Sequence, residues 1–129
     1  MAKILIVENY VDLQLLLEDA LLADGHQVIT AHNGAQGLDQ ALTEQPDLIL
    51  TDMKMPIMTG EQMITILQLL MPTTLLMGMS ADVDPRHAER ERDRLKIHAF
   101  IAKPFDLHHL RRTITALVER RAPPIESAA

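Results

Sequence analysis

The sequence predicts an α/β fold, a doubly wound, five-stranded parallel sheet built from five strand–helix units, (βα)5. Three observations predict it. Short apolar runs alternate with segments of helical periodicity over about 120 residues. Runs such as Ile4–Val7 and Leu48–Leu50 are continuously aliphatic, as in strands covered on both faces, and such strands belong to parallel sheets. The 129 residues suffice for one good core, and each strand-to-strand connection is long enough for a right-handed helical crossover.

Taken in order, Ile4–Val7 is the first strand. Leu13, Leu16, Leu17, Ala20 and Leu21 follow at helical spacing, and Gly25 sits where that helix stops. Gln27–Ala31 is a short second strand, and Asn33-Gly34 turns the chain into a helix with Ala35, Leu38, Ala41 and Leu42 inward. Pro46 breaks the pattern before Leu48–Leu50, a strand that ends at Thr51-Asp52. Met63, Ile66, Leu67 and Leu70 mark a third helix, opened by a capping box of Thr59 and Gln62. Pro72 closes it, and Leu75–Met79 forms the fourth strand, ending at Ser80-Ala81. Asp84-Pro85 is an N-cap with a first-turn proline. The fifth strand, His98–Ala102, runs into Lys103-Pro104-Phe105. Asp106 then caps a last helix with Leu107, Leu110, Ile114, Leu117 and Val118 inward.

Composition narrows the function. Without cysteine, neither a disulfide framework nor a thiolate metal site is available. There is no run of 18 apolar residues, and the N-terminus begins a strand instead of a charged leader, so a soluble, cytoplasmic protein is expected. Two Phe, one Tyr and no Trp disfavour base stacking on an aromatic platform. The net charge of -6 is uneven: residues 1–81 hold ten acids and two bases, residues 82–129 eight acids and ten bases. That division points to an acidic site in the first part and a mixed or basic partner surface in the second, although solvated helix faces would give the same count.

In doubly wound sheets, ligands sit outside the carboxyl ends of the strands, where strand order reverses. The residues to read are therefore Glu8 and Asn9, Asp52, Ser80 and Lys103. Glu8 and Asp52, with Asn9 as a neutral oxygen donor, suit a hard divalent cation such as Mg²⁺. The Ser80 hydroxyl and the mobile charge of Lys103 suit a phosphoryl group, which needs positioning and neutralisation more than covalent help. A carboxylate can itself accept that group. Neither GxGxxG nor GxxxxGK[ST] occurs, so side chains and metal would replace a glycine-rich phosphate cradle.

The order ILIVEN, DLILTDMKMPIMTG, MSA and FIAKPF resembles the receiver domain of two-component response regulators, of the single-domain kind seen in chemotaxis regulators. The resemblance runs from Lys3 to about Arg121, with each motif at the end of an expected strand. It implies the flavodoxin-like strand order 2-1-3-4-5, a receiver domain over 1–121 and a tail or linker stub over 122–129. It also implies Asp52 as the residue phosphorylated by a sensor histidine kinase or phosphotransfer protein, with Mg²⁺ required. By the same resemblance Glu8 and Asn9 fall on the acidic pair, Ser80 on the switch hydroxyl and Lys103 on the phosphate-binding lysine. Phe100 falls on the aromatic switch position, and the backbone carbonyl of Lys54 on the third protein metal ligand. The protein would be a signalling module and not an enzyme in the usual sense, answering to a downstream protein through its fourth helix, fifth strand and last helix. Nucleic acid and membrane are not expected as direct partners, and the chain would be a monomer or a phosphorylation-dependent dimer.

Asn9 stands where the family usually carries an Asp, so the site loses one full negative charge. Weaker Mg²⁺ binding is expected. Two alternatives stay open: a pseudo-receiver acting as a phosphorylation-independent scaffold, and a flavin or nucleotide binder on the same fold. Lys54 and Asp82 lie two positions beyond Asp52 and Ser80, where by resemblance they flank the water that removes the phosphoryl group. Paired, they would obstruct it. From Asp82 to Lys96, ten of fifteen residues are charged, and Val83, Ala88 and Leu95 are nearly the only apolar anchors. Such a helix is held weakly, with pairs such as Arg86–Glu89 and Arg90–Asp93 adding only ~0.2–0.5 kcal/mol each. Basic residues on the last helix (Arg111, Arg112, Arg120, Arg121) suit an acidic partner surface, whereas His98, His108 and His109 are read as surface histidines, not a metal set.

Overall fold

The computed structural model describes residues 1–121, so the tail read at 122–129 and the side chain of Arg121 lie outside the described residues. The elements run β1 Lys3–Val7, α1 Val11–Ala23, β2 Gln27–Ala31, α2 Gly34–Glu44, β3 Leu48–Asp52, α3 Gly60–Leu70 and β4 Leu75–Ser80. A 3₁₀ turn at Pro85–His87 then leads into α4 Ala88–Leu95, β5 Ala99–Ala102 and α5 Leu107–Arg121. All strand pairs are parallel, in the order β2-β1-β3-β4-β5, as expected.

Side chains of a strand point alternately to opposite faces, which divides the core in two. Ile4, Ile6, Leu48, Leu50, Met77 and Met79 meet Leu17 and Leu21 of α1 and Leu110 and Ile114 of α5. Leu5, Val7, Ile49 and Leu76 meet Ala41 of α2, Met63 and Leu67 of α3, and Leu95 of α4.

The helix ends follow the local chemistry. Asn33 accepts from the Gln36 N–H, Thr59 and Gln62 form the expected capping box, and Asp84 and Asp106 each accept from the backbone two residues on. Gly25 takes φ 89 just after α1, a left-handed position where glycine is at no disadvantage.

Five helical residues depart from the expected stripes. Leu16, Leu42 and Leu70 are exposed, while Ile64 and the polar Gln14 are buried. Gln14 keeps the i, i+3, i+7 phase with Leu17 and Leu21, so the inward stripe of α1 begins one residue later than Leu13 implies. The charged segment pairs differently too. Arg86 binds Asp84 and Arg92 binds Asp93, in place of Arg86–Glu89 and Arg90–Asp93, because Asp84 lies at the cap beside Arg86.

Candidate functional site

Strand register alone brings the site together. Val7 pairs with Thr51, so Glu8 and Asp52 emerge side by side from β1 and β3, at the point where strand order reverses. Asp52 pairs with Met79 and Ser80 with Ala102, which sets Ser80 and then Lys103 along the same edge. The four residues come from four different loop starts, yet each lies within one residue of a strand end.

Lys103 is the hub. Its Nζ donates to Glu8 Oε1 at 2.9 Å and stands 3.3 Å from Asp52 Oδ2. The Glu8 side chain is 1% exposed and that of Asp52 11%, so both contacts are largely withdrawn from water. Each carboxylate is also fixed by backbone: Tyr10 N–H donates to Glu8 Oε2 at 2.9 Å, and Met53 N–H to Asp52 Oδ1 at 2.8 Å. Burial is the main cause pushing the Asp52 carboxyl above the usual carboxylate range. The charge of Glu8 adds to this, and Lys103 only partly opposes it.

Two acids against one ammonium leave the pocket with a net charge of about −1. That is an under-neutralised anionic pocket of oxygen donors, and Mg²⁺ typically binds through one or two carboxylates with water completing its shell. The donor set therefore fits such an ion. Glu8 and Asp52 would hold it, with the Asn9 side-chain oxygen and the Lys54 carbonyl as neutral donors. Among the described residues no three of His, Cys, Asp and Glu converge, in keeping with an Asn after Glu8. Asn9 itself is exposed at the mouth.

Ser80 is 4% exposed, and its Oγ accepts from the Asp82 N–H at 3.1 Å, which leaves the O–H as a donor. Lys54 and Asp82 are paired across the mouth, as their positions suggested, and Asp82 pushes the Lys54 ammonium up. Phe100 is half-buried against the second core cluster.

Three further residues support the site without having been singled out from sequence. Gln14 Nε2 donates to the carbonyls of Glu8 and Ala31, both at 3.1 Å, and so ties α1 to the ends of β1 and β2. A Cβ at Gly60 would run into the carbonyl oxygen of Asp52, so only glycine lets α3 start this close to the acid. At Gly78 a Cβ would stand 2.9 Å from Phe100 Cδ2, so the bare strand position is where the ring lies. A lone glycine in the apolar run LLMGMS is a legible signal of such close approach. His98 is exposed and uses Nδ1 to accept from the Leu76 N–H at 3.0 Å, which ties the start of β5 to β4.

Residues 4–115 match the sequence pattern of the response regulator receiver domain. The chain is 33% identical over 111 residues to sporulation initiation phosphotransferase F of Bacillus subtilis, covering 84% of this chain and 87% of that protein. It is 32% identical to the transcriptional regulatory protein PrrA of Mycobacterium tuberculosis, over 98% of this chain but 54% of the regulator. The chain thus spans about half the length of that regulator. Among solved structures, the receiver domain of the Francisella response regulator 1452 superposes with a TM-score of 0.87 at 20% identity. That likeness covers 95% of this chain and 100% of the other, and it is one of fold.

Proposed function

This chain belongs to the response regulator receiver family, the phosphorylation-controlled signalling domains of two-component systems, and from that membership we propose that Asp52 is its phosphoryl acceptor. The observation that supports this best is the convergence of Glu8, Asp52, Ser80 and Lys103 on one strand edge, with Lys103 within 3.3 Å of both carboxylates. An Asp52 carboxylate oxygen attacks the phosphorus of a phosphohistidine on a sensor kinase or phosphotransfer protein. The P–O bond forms as the P–N bond breaks, and the departing imidazole nitrogen takes a proton from solvent. A divalent ion bound at Glu8 and Asp52 would supply positive charge to the phosphoryl oxygens. The Lys103 ammonium donates to one of those oxygens and neutralises it, and the Ser80 O–H donates to another.

Once Ser80 turns toward the phosphoryl group, Phe100 repacks and the face made by α4, β5 and α5 changes. A phosphoryl group achieves this only if it favours one of two packings. That face would meet a downstream protein. The Lys54–Asp82 pair would slow hydrolytic loss of the phosphoryl group, so Lys54→Ala should shorten its lifetime. No described helix is long and apolar enough to cross a membrane, in keeping with action in the cytoplasm.

A second reading, a phosphorylation-independent scaffold, draws on Asn9, which leaves only two carboxylates to hold metal. One assay separates the two readings. Incubation with Mg²⁺ and a small phosphodonor, followed by intact-mass measurement, should give one phosphoryl addition that Asp52→Asn abolishes. No addition to the wild-type chain supports the scaffold.

A further inference from the structure

The fourth helix packs beside β5 through Leu95, and polar contacts tie it to α3. Leu95 is the only buried residue of α4. Gln68 Nε2 of α3 donates to the carbonyls of Leu95 and Lys96, at 2.9 and 3.0 Å. Arg94 adds a charged bridge: Nη1 and Nη2 donate to the two Glu61 oxygens at 3.2 and 3.0 Å, and Nη2 also to Glu91 Oε1 at 2.9 Å. Among the described residues it is the ion pair that joins α4 to another helix, since the remaining pairs of the charged segment are local or lie in the preceding loop.

The two glutamates it joins have a particular location. Glu61 and Glu91 line a cleft of about 280 Å³, together with Ser80, Val83 and Phe100. Phe100 therefore both borders Gly78 and lines this cleft. An isolated exposed ion pair contributes little, but a guanidinium fork engaged by two carboxylates is the geometry in which the contribution grows. With so thin an apolar contact, α4 depends on it more than an ordinary helix would.

We propose that Arg94 is a latch: by bridging Glu61 and Glu91 it holds α4 against α3 and keeps Phe100 in its seat at Gly78, and its release frees ring and helix together. This rests on reading Ser80 and Phe100 as the switch pair, but it is a property of the unphosphorylated chain and is testable there. Arg94 is a positioning residue, remote from the phosphoryl chemistry.

The chain has two phenylalanines, so fluorophenylalanine labelling gives two ¹⁹F signals, assigned with Phe105→Leu. In Arg94→Ala the Phe100 signal should broaden or split. Amides of α4 should exchange about fivefold faster, the factor set by the upper end of an exposed pair's contribution, with α1 unchanged. Glu61→Gln should reproduce the effect, and Arg94→Lys, which keeps charge but loses the fork, should fall between. An unchanged Phe100 signal in Arg94→Ala overturns the latch, even if α4 exchanges faster, because the bridge would then be a surface tie alone. Failure of the phosphodonor assay would instead strike the Asp52 reading and leave this result standing.

Discussion

Replacing Asp52 by Asn should stabilise the fold, and the contacts set the size. The ammonium of Lys103 stands 3.3 Å from Asp52 and 2.9 Å from Glu8, so the two carboxylates are at most about 6 Å apart. At an effective dielectric of about 20, the Lys103 attraction is about 5 kcal/mol and the Glu8 repulsion about 3 kcal/mol. Desolvation of a carboxylate as buried as this costs several kcal/mol more. Attraction therefore loses by about 1–3 kcal/mol, in agreement with the upward displacement of the Asp52 carboxyl, of which burial is the first cause. Asparagine keeps an acceptor for the Met53 N–H and carries no charge. Thermal and urea unfolding followed by circular dichroism at pH 7.5 should show Asp52→Asn more stable by about that amount, with a melting temperature roughly 4–12 °C higher. Because the folded-state pKa is raised, the native wild type takes up its proton before the unfolded chain does. The gap should therefore be full above that pKa and narrow as pH falls through it. A variant no more stable than wild type at pH 7.5, or a gap that stays constant as pH falls into the ordinary carboxylate range, would refute the account of an under-compensated charge.

Asn9→Asp should bind Mg²⁺ at least tenfold more tightly in a calorimetric titration, since a charge about 4 Å from a divalent ion is worth several kcal/mol before desolvation; equal affinities would defeat the missing-charge explanation. Gly78→Ala should cost about 1–3 kcal/mol in urea unfolding and displace Phe100, because the new Cβ would meet Phe100 Cδ2 at 2.9 Å and Ile97 Cδ1 at 3.3 Å. His26 accepts the Ala2 N–H on Nδ1 at 3.1 Å, and burial, aided by the N-terminal charge, holds its pKa below the usual 6.5. Between that lowered value and 6.5 the unfolded chain binds more protons, so this contribution is intact above 6.5 and is lost as pH falls through the folded value. The urea midpoint of wild type should drop across that window more than that of His26→Gln, and parallel profiles would count against the linkage.

Much of the site was legible because it depends on strand ends. A parallel sheet fixes which residues emerge together, so locating the ends of ILIV, LIL and FIA was enough to place Glu8, Asp52 and Lys103 on one edge. Helix faces were less legible. In VDLQLLLEDALLA apolar residues occur on every side, so periodicity cannot choose between Leu13, Leu16 and Gln14 for the inward turn. The choice falls to Gln14 because its amide donates to the Glu8 carbonyl and, as a second donor beside the Glu8 N–H, to the Ala31 carbonyl, and those two acceptors come together only in the assembled sheet. Gly60 and Gly78 were hidden differently. A glycine marks close approach, but the sequence does not say what approaches, and here it is the Asp52 carbonyl and the Phe100 ring.

The uncharged Asn9 relieves the resting pocket. A third carboxylate beside Glu8 and Asp52 would add repulsion to a pocket in which Asp52 is already displaced toward its protonated form. With Asn in that place, Lys103 reaches both acids and the resting pocket is left about one charge from neutrality, at the expense of the field that would draw in a divalent cation. Resting stability and metal affinity therefore move in opposite directions at this position. Asn9→Asp should tighten Mg²⁺ binding while lowering the stability of the metal-free chain, and the two effects share one electrostatic cause.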